Sequence, residues 1–490
     1  MVKQLFNKYK SLPAPVKAAF FFVFCGAFKD AVDVIVTPVF TRILTVEEYG
    51  LFNVYNSWYQ VLRLIVSLSI YAEGFNVGMA RYGDDREGFT SSQQGLMTTM
   101  FLVWGSVYFI WKDTWNDMLG LNSTLMLFML FQIMFSVMYT FWYQKTKYTY
   151  KYVALTAVTL IYTVLQPLLG ILLIKLNTYG INNGELRIYA GVGVQIFFGF
   201  IFFVIQFIKS RKFYCKEYWK FALKTNIVLL PHFMSQIILN QTDKIMINMF
   251  EGKAPTAIYS VAHSAAFLIL VIFTNLNSAF IPWLYEKLKK DNYDGIKSVI
   301  TGLVLVAATA TIIIVIAAPE AMLILAGKEY AEGVWVIPPL AFSVFLIFIY
   351  TLLANFELYY SRNSFVLIAS VVGAILNIVL NYFLIPVFGF VAAGYTTVIG
   401  YFAICMCHAV FIHITCKKEG LQLKELFDTK VVILISVVLA GICAVMMLLY
   451  NTTYARYIIL LAILIVLFIK RKTLISLIKR LKVKKSAESE

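Results

Sequence analysis

Apolar stretches long enough to cross a bilayer recur along almost the whole 490-residue chain, each separated from the next by a short polar or turn-rich break. In hydrocarbon a backbone must satisfy its own N–H and C=O groups, so stretches of about 20 apolar residues can only be helices. Fourteen windows meet this description, at roughly 16–40, 51–72, 93–111, 122–144, 152–174, 188–208, 225–249, 257–284, 298–318, 335–358, 365–386, 391–415, 431–450 and 457–469. They predict an all-α membrane protein of about 14 transmembrane helices. Composition agrees, with 60% hydrophobic and only 14% charged residues and a mean hydropathy of +0.78. A soluble enzyme, at about 25% charged, is excluded.

The net charge of +16 would suggest a nucleic-acid partner on a soluble chain. Here it reads as orientation. With the N-terminus in the cytoplasm, the tails and inner loops hold about 32 of the 42 Lys and Arg and the outer loops about 7. Lys29, Arg63 and Lys244 fall within helices. Both termini are therefore expected in the cytoplasm. Lys3, Lys8, Lys10 and Lys17 before an apolar run resemble a signal peptide. The run continues past Lys29, Asp30 and Asp33 to Phe40 without a small-residue cleavage site, so it is expected to stay as the first transmembrane helix. The tail from Lys470 to Lys485 alternates basic and aliphatic residues, as an orientation anchor or an interfacial helix on anionic lipid would. The six cysteines show no metal or disulfide-framework spacing, and no Walker loop or nucleophile elbow is present.

A short repeat suggests duplication. GLFNVY at 50–55 and AIYSVA at 257–262 share a pattern of residue types at an offset of 207 residues. An even number of helices per repeat puts the halves in the same orientation, related by an axis along the membrane normal. The expected organisation is a six-helix bundle over 1–222, a second over 223–416, and two further helices with a basic tail over 417–490. Pro38, Pro167, Pro231 and Pro282 are candidate bends.

Three motifs resemble one family. TRILTVEEYG at 41–50 is similar to the turn after the first helix of the polysaccharide transporter (Wzx-type O-antigen and capsule flippase) family of the MOP exporter superfamily, except that Val46 replaces the usual proline. DKIMIN at 243–248 with IYS at 258–260 resembles a second stretch of that family. NIVLN at 377–381, Pro386, Gly389, Ala392–Gly394, Thr396 and Thr397 resemble its join between the eleventh and twelfth helices. The resemblance implies a fold of two pseudo-symmetric six-helix bundles plus two helices. It also implies a cargo, undecaprenyl-diphosphate-linked oligosaccharide moved from the inner to the outer leaflet of a bacterial plasma membrane.

Charges at membrane depth are costly and mark a pathway or a pair. Lys29 and Asp33 lie four apart on one face and can neutralise each other, with Asp30 about 100° away. Asp30 or Asp33 is the candidate ion-coupling group, because related exporters use an acidic residue in the first helix. Asn56, Gln60, Arg63 and Ser67 form one polar stripe. Arg63 suits a diphosphate, since a guanidinium stays ionised and binds phosphate bidentately, or else pairs with Asp30 or Asp33. His232, Gln236, Asn240, Asp243 and Lys244 trace a second face. The expected substrate-binding set is thus Arg63, Lys244, Lys29, Gln60, Asn56, Gln236 and Asn240. Arg42, Glu48, Asp243, Glu357 and Arg362 are gate candidates, with Glu357 and Arg362 facing the inner side. Asn377 and Asn381 share a face suited to interhelical hydrogen bonds. His263, His408 and His413 read as structural or interfacial.

The expected function is a lipid-linked oligosaccharide flippase working by alternating access. It would need no cofactor, would couple to H+ or Na+, and would meet membrane lipids and glycan polymerase machinery as partners. The alternatives are a multidrug or metabolite exporter of the same superfamily and a lipid II flippase. A glycosyltransferase or polymerase is disfavoured by short outer loops, the longest about 16 residues near Pro319–Val334.

Overall fold

The computed structural model describes residues 13–469. Lys3, Lys8, Lys10 and the basic tail from Lys470 lie outside the described residues. Fourteen long helices occupy the described chain: α1 Ala14–Ile43, α2 Val46–Ser67, α3 Arg86–Ile110, α4 Ser123–Tyr148, α5 Tyr152–Lys175, α6 Asn183–Ser210, α7 Lys216–Glu251, α8 Lys253–Lys289, α9 Ile296–Ile316, α10 Ile337–Tyr359, α11 Asn363–Phe388, α12 Val391–Glu419, α13 Thr429–Leu448 and α14 Thr453–Ile469. Short helices at Glu73–Arg81, Lys112–Leu119, Ala318–Leu325 and Leu423–Leu426 fill connections read from sequence as loops. No strand occurs among the described residues.

Ten of these helices, α4 through α13, are long and apolar enough to cross a membrane, so this is a multi-pass membrane protein. α1, α2 and α3 carry the polar and charged residues that lower their hydropathy, and α14 has 17 residues. These four nonetheless sit where spans are expected from the sequence.

The helix ends follow local chemistry. Thr45 and Glu48 close a capping box on α2: the Glu48 amide donates to Thr45 Oγ1 (3.2 Å), and the Thr45 amide donates to Glu48 Oε2 (3.0 Å). Asp85, Asn122, Asn182 and Asp428 cap α3, α4, α6 and α13. Pro38, Pro167, Pro231 and Pro282 all lie inside helices. The second span differs most from its sequence window. Instead of reaching residue 72, α2 stops at Ser67, and Leu68 and Ser69 take left-handed φ of 45° and 55°. Ser67 Oγ donates to the Arg63 carbonyl (2.6 Å) and accepts from the Ser69 amide (3.3 Å), drawing backbone groups out of the helical ladder.

The chain divides into two compact units, Met1–Gln241 and Thr242–Glu490, so the division falls within α7 and the last two helices group with the second unit. In the first unit α6 is the hub, packed on α4, α5, α3 and α2, while α1 lies against α5. Gly199 allows the closest of these approaches, because a Cβ there would overlap the Phe135 carbonyl. In the second unit α10 is central, packed on α12, α8 and α9, with α11 on α12 and α13 on α9. α10 is apolar on all sides and accordingly buried along most of its length. It starts on Pro338 and Pro339, whose missing amides fall where a helix has no acceptor to offer.

Candidate functional site

The first unit contains a cavity of about 480 Å³, within the range that holds a small ligand. Its α1 wall is set by helical spacing, since Cys25, Lys29, Val32, Asp33, Val36 and Phe40 recur on one face. Arg63 enters from α2, Tyr139 and Tyr143 from α4, Tyr162 and Gln166 from α5, and Arg187 and Gln195 from α6. The charged lining is therefore three cations, Lys29, Arg63 and Arg187, against the single carboxylate Asp33.

Each guanidinium is held in place. Arg63 Nη2 donates to Thr140 Oγ1 (2.9 Å), and its charge lies 4.2 Å from the Tyr71 ring centroid. Its Nε is buried with no hydrogen-bond partner. Arg187 lies over Phe52 and Phe40, 3.4 and 3.9 Å from their centroids, with Tyr49 at 5.0 Å. Amides form a chain along the wall: Tyr55 OH donates to Gln132 (2.9 Å), Gln132 to Gln195 (3.2 Å) and Gln195 to Gln166 (3.2 Å). Tyr139 and Tyr162 stack with centroids 4.5 Å apart and planes 5° from parallel. Such a surface offers charge-assisted bonds to an anion, amide and hydroxyl bonds to sugar, and aromatic faces.

Three residues of the sequence-derived set meet here: Lys29, Asp33 and Arg63. Asp30, Asn56 and Gln60 do not line the cavity, so the expected stripe on α2 contributes Arg63 alone of its first three members. α2 instead turns Phe52, Tyr59 and Arg63 to the cavity, and Gln60, about 100° from Tyr59 around the helix, falls off that face. Gln236 and Asn240 lie on α7 away from the cavity, with the Asn240 amide turned back to the Gln236 carbonyl (2.7 Å). Lys244 belongs to the second unit, beside His263. Arg187, Gln166 and Gln195 were missed. Arg187 lies in the expected outer flank of its helix, and its approach to α1 and α2 carries no signal in sequence.

The gate candidates separate. Glu48 is structural in its contacts, with Oε2 in the capping box and Oε1 accepting the Asn183 amide (3.0 Å), which ties α2 to the start of α6. Arg42 is exposed and donates to the Pro38 carbonyl (2.7 Å). The side chains of Glu357 and Arg362 go to different partners, Arg362 to Glu419 (3.0 Å) and Glu357 to His408 (2.9 Å), although the Arg362 amide donates to the Glu357 carbonyl (2.8 Å). Asp243 lies in the buried core of the second unit. Its Oδ2 accepts from Tyr259 (2.6 Å) and Thr397 (2.7 Å), and its Oδ1 from Asn381 (2.6 Å) and Asn377 (3.2 Å). Thr396 Oγ1 donates onward to Asn381 Oδ1.

The MatE family model matches residues 229–383. An uncharacterized membrane protein of Haemophilus influenzae is 22% identical over 362 residues, covering 70% of this chain and 84% of that protein. The structure of lipid II flippase MurJ in an inward closed conformation is similar, with a TM-score of 0.70 at 12% identity over 93% of this chain and 100% of that one. A Vibrio cholerae MATE transporter has a TM-score of 0.52 at 11% identity, over 83% of this chain and 97% of its own. The fold is thus one shared with MurJ and with the Vibrio cholerae MATE transporter. The polysaccharide branch suggested by the motifs is a finer assignment than these likenesses carry.

Proposed function

We propose that this protein is a flippase that moves a polyprenyl-diphosphate-linked oligosaccharide from the inner to the outer leaflet of the bacterial plasma membrane. The carrying observation is the cavity charge, three cations against one carboxylate beside amides and tyrosines. Arg63 and Arg187 would hold the diphosphate, Lys29 would add charge, and Gln166 and Gln195 would meet sugar hydroxyls. The polyprenyl chain would stay in lipid. Alternating access, both termini in the cytoplasm and coupling to a cation gradient belong to the same proposal, with Asp33 as the cavity carboxylate. Glycan polymerase machinery is the natural downstream partner.

A lipid II flippase is the second reading, favoured by the likeness in fold to MurJ over nearly the whole chain. It differs only in cargo. An exporter of organic cations fits less well, since a cavity with a cationic majority repels them.

The deciding experiment extracts polyprenyl-linked glycans from cells with and without the gene. Accumulation of a completed oligosaccharide on its carrier is expected, and Arg63→Ala should reproduce it while still inserting in the membrane. Unchanged lipid-linked sugars with altered tolerance to cationic drugs would replace the proposal with the exporter reading. Accumulated lipid II and an essential gene would select the second reading.

A further inference from the structure

The second unit holds an acid–base pair that the cavity in the first unit does not use. His408 of α12 places Nδ1 2.9 Å from both carboxylate oxygens of Glu357 on α10. The two side chains are 1% and 0% exposed. Nδ1 is the sole side-chain hydrogen-bond partner of that carboxylate among the described residues, and His408 Nε2 is buried with no partner.

Each protonation state of the pair leaves something unmet. With a neutral imidazole, Glu357 keeps a full negative charge in a low-dielectric core on one donor, where a carboxylate can accept about four. With one more proton, held either as imidazolium or as a carboxyl donating to Nδ1 of the other tautomer, the charge is balanced but Nε2–H faces no acceptor. Asp243 is the contrast, since its four donors satisfy one charge state. A group built to keep its charge looks like Asp243, and one built to change charge looks like Glu357 with His408.

The surroundings favour reversible protonation. Tyr350 of α10 stacks on the imidazole at 5.5 Å and 9°, and Tyr401 of α12 backs it at 6.2 Å and 6°, so an imidazolium would meet an aromatic face. Of the other titratable groups, Cys405 donates to the Leu346 carbonyl (3.2 Å), and Cys407 lies in the field of Glu357. α8 presents Asn277, bonded to Asn355 (2.7 Å), and Tyr285, against Tyr359. α11 brings Phe365 onto Phe411, and Arg362, at the α10–α11 turn, is engaged by Glu419. His408 is thus the titratable group in direct hydrogen-bond contact with Glu357 among the described residues.

We propose that Glu357 and His408 form a proton-binding site of the second unit, loaded and emptied as the surroundings of the pair change. The step from proton binding to coupled transport rests on the flippase reading, whereas proton binding itself does not.

The test follows the imidazole nitrogens of the full chain, labelled with nitrogen-15 histidine in lipid nanodiscs, from about pH 5 to about pH 9. His408, assigned by the signal lost in His408→Gln, should change charge state within that interval. Glu357→Gln should move the transition down by about one pH unit or more, because removing the anion disfavours imidazolium. A His408 that keeps one charge state throughout would overturn the proposal, as would a transition indifferent to Glu357→Gln. If that variant fails to fold, the unmodified protein decides alone. Unchanged lipid-linked sugars in cells lacking the gene would remove the flippase reading and leave the titration standing.

Discussion

Arg63 and Asp243 are both charges that the sequence places at membrane depth, and their neighbours treat them in opposite ways. Arg63 makes one side-chain hydrogen bond and one ring contact and keeps a buried donor unused beside a cavity. Asp243 receives four donors and is 2% exposed. Removing a fully engaged acceptor strands its donors, and each stranded buried group costs about 1–3 kcal/mol. Asp243→Asn should therefore lower the midpoint of thermal unfolding in detergent, since the amide brings two donors where four already point. Arg63→Ala should leave the midpoint nearly unchanged while causing the carrier-linked glycan accumulation expected of a lost flippase. Equal stability losses from both would place Arg63 in the packing rather than the mechanism. These two residues were legible as membrane-depth charges. Their different roles were not, because Asn377, Asn381 and Thr397 lie more than a hundred residues beyond Asp243 and only the fold brings them together.

At the scale of the helix, the ends explain more than the centres. Glu48 reads from sequence as a gate candidate in an acidic turn, although Thr-x-x-Glu over 45–48 is also a capping signature. Only the placement of α6 shows that Glu48 also receives the Asn183 amide. Asp85 does comparable work at the start of α3. It accepts the Gly88 amide (2.9 Å), Lys212 Nζ (2.6 Å) and Tyr218 OH (2.7 Å). Burial pushes its carboxyl up, but the hydrogen bonds from Lys212, Tyr218 and Gly88 outweigh it and hold the group below the usual carboxylate range. A depressed folded pKa means this stabilisation is complete above the unfolded value, about 3.9, and is lost as pH falls through the lower folded value. The side chains of Asp85 and Lys212 are each 41% exposed, so solvent screens the ion pair to about 1 kcal/mol or less. Asp85→Ala, which also removes the cap, should cost about 1–2 kcal/mol near neutral pH. Its stability difference from the unmodified protein should shrink below about pH 4, read from unfolding midpoints across a pH series. A constant difference would contradict the assignment.

Across the whole molecule, the two halves start their second helices in step. α2 begins at Val46 and α8 at Lys253, the same 207-residue offset as the short sequence repeat. The charge asymmetry makes a prediction at this scale. With a cytoplasmic N-terminus, single cysteines introduced at Thr178 and Asn451 should react with a membrane-impermeant thiol reagent added outside intact cells. One at Asn292 should react only after lysis. The background for this labelling is the chain with its six native cysteines replaced. Labelling of all three positions in intact cells, or of Asn292 alone, would reverse or scramble the proposed orientation.

The sequence by itself determined where the helices run, and its charge asymmetry supplied the proposed orientation. Both depend on local quantities: the length of an apolar stretch, the residue that caps it, and the sign of the short loop beside it. What only the tertiary structure decided was which charges share a space. Periodicity assigns a residue to a face of its own helix but says nothing about which helix that face meets. Lys29, Arg63 and Arg187 come from three helices onto one cavity, while Lys244, equally charged and equally deep by sequence, belongs to the other unit. Glu357 found His408, 51 residues away, rather than Arg362 five residues on. Neighbours along a chain are fixed by covalent spacing, but partners across a core are chosen by packing, and packing is a property of the whole fold.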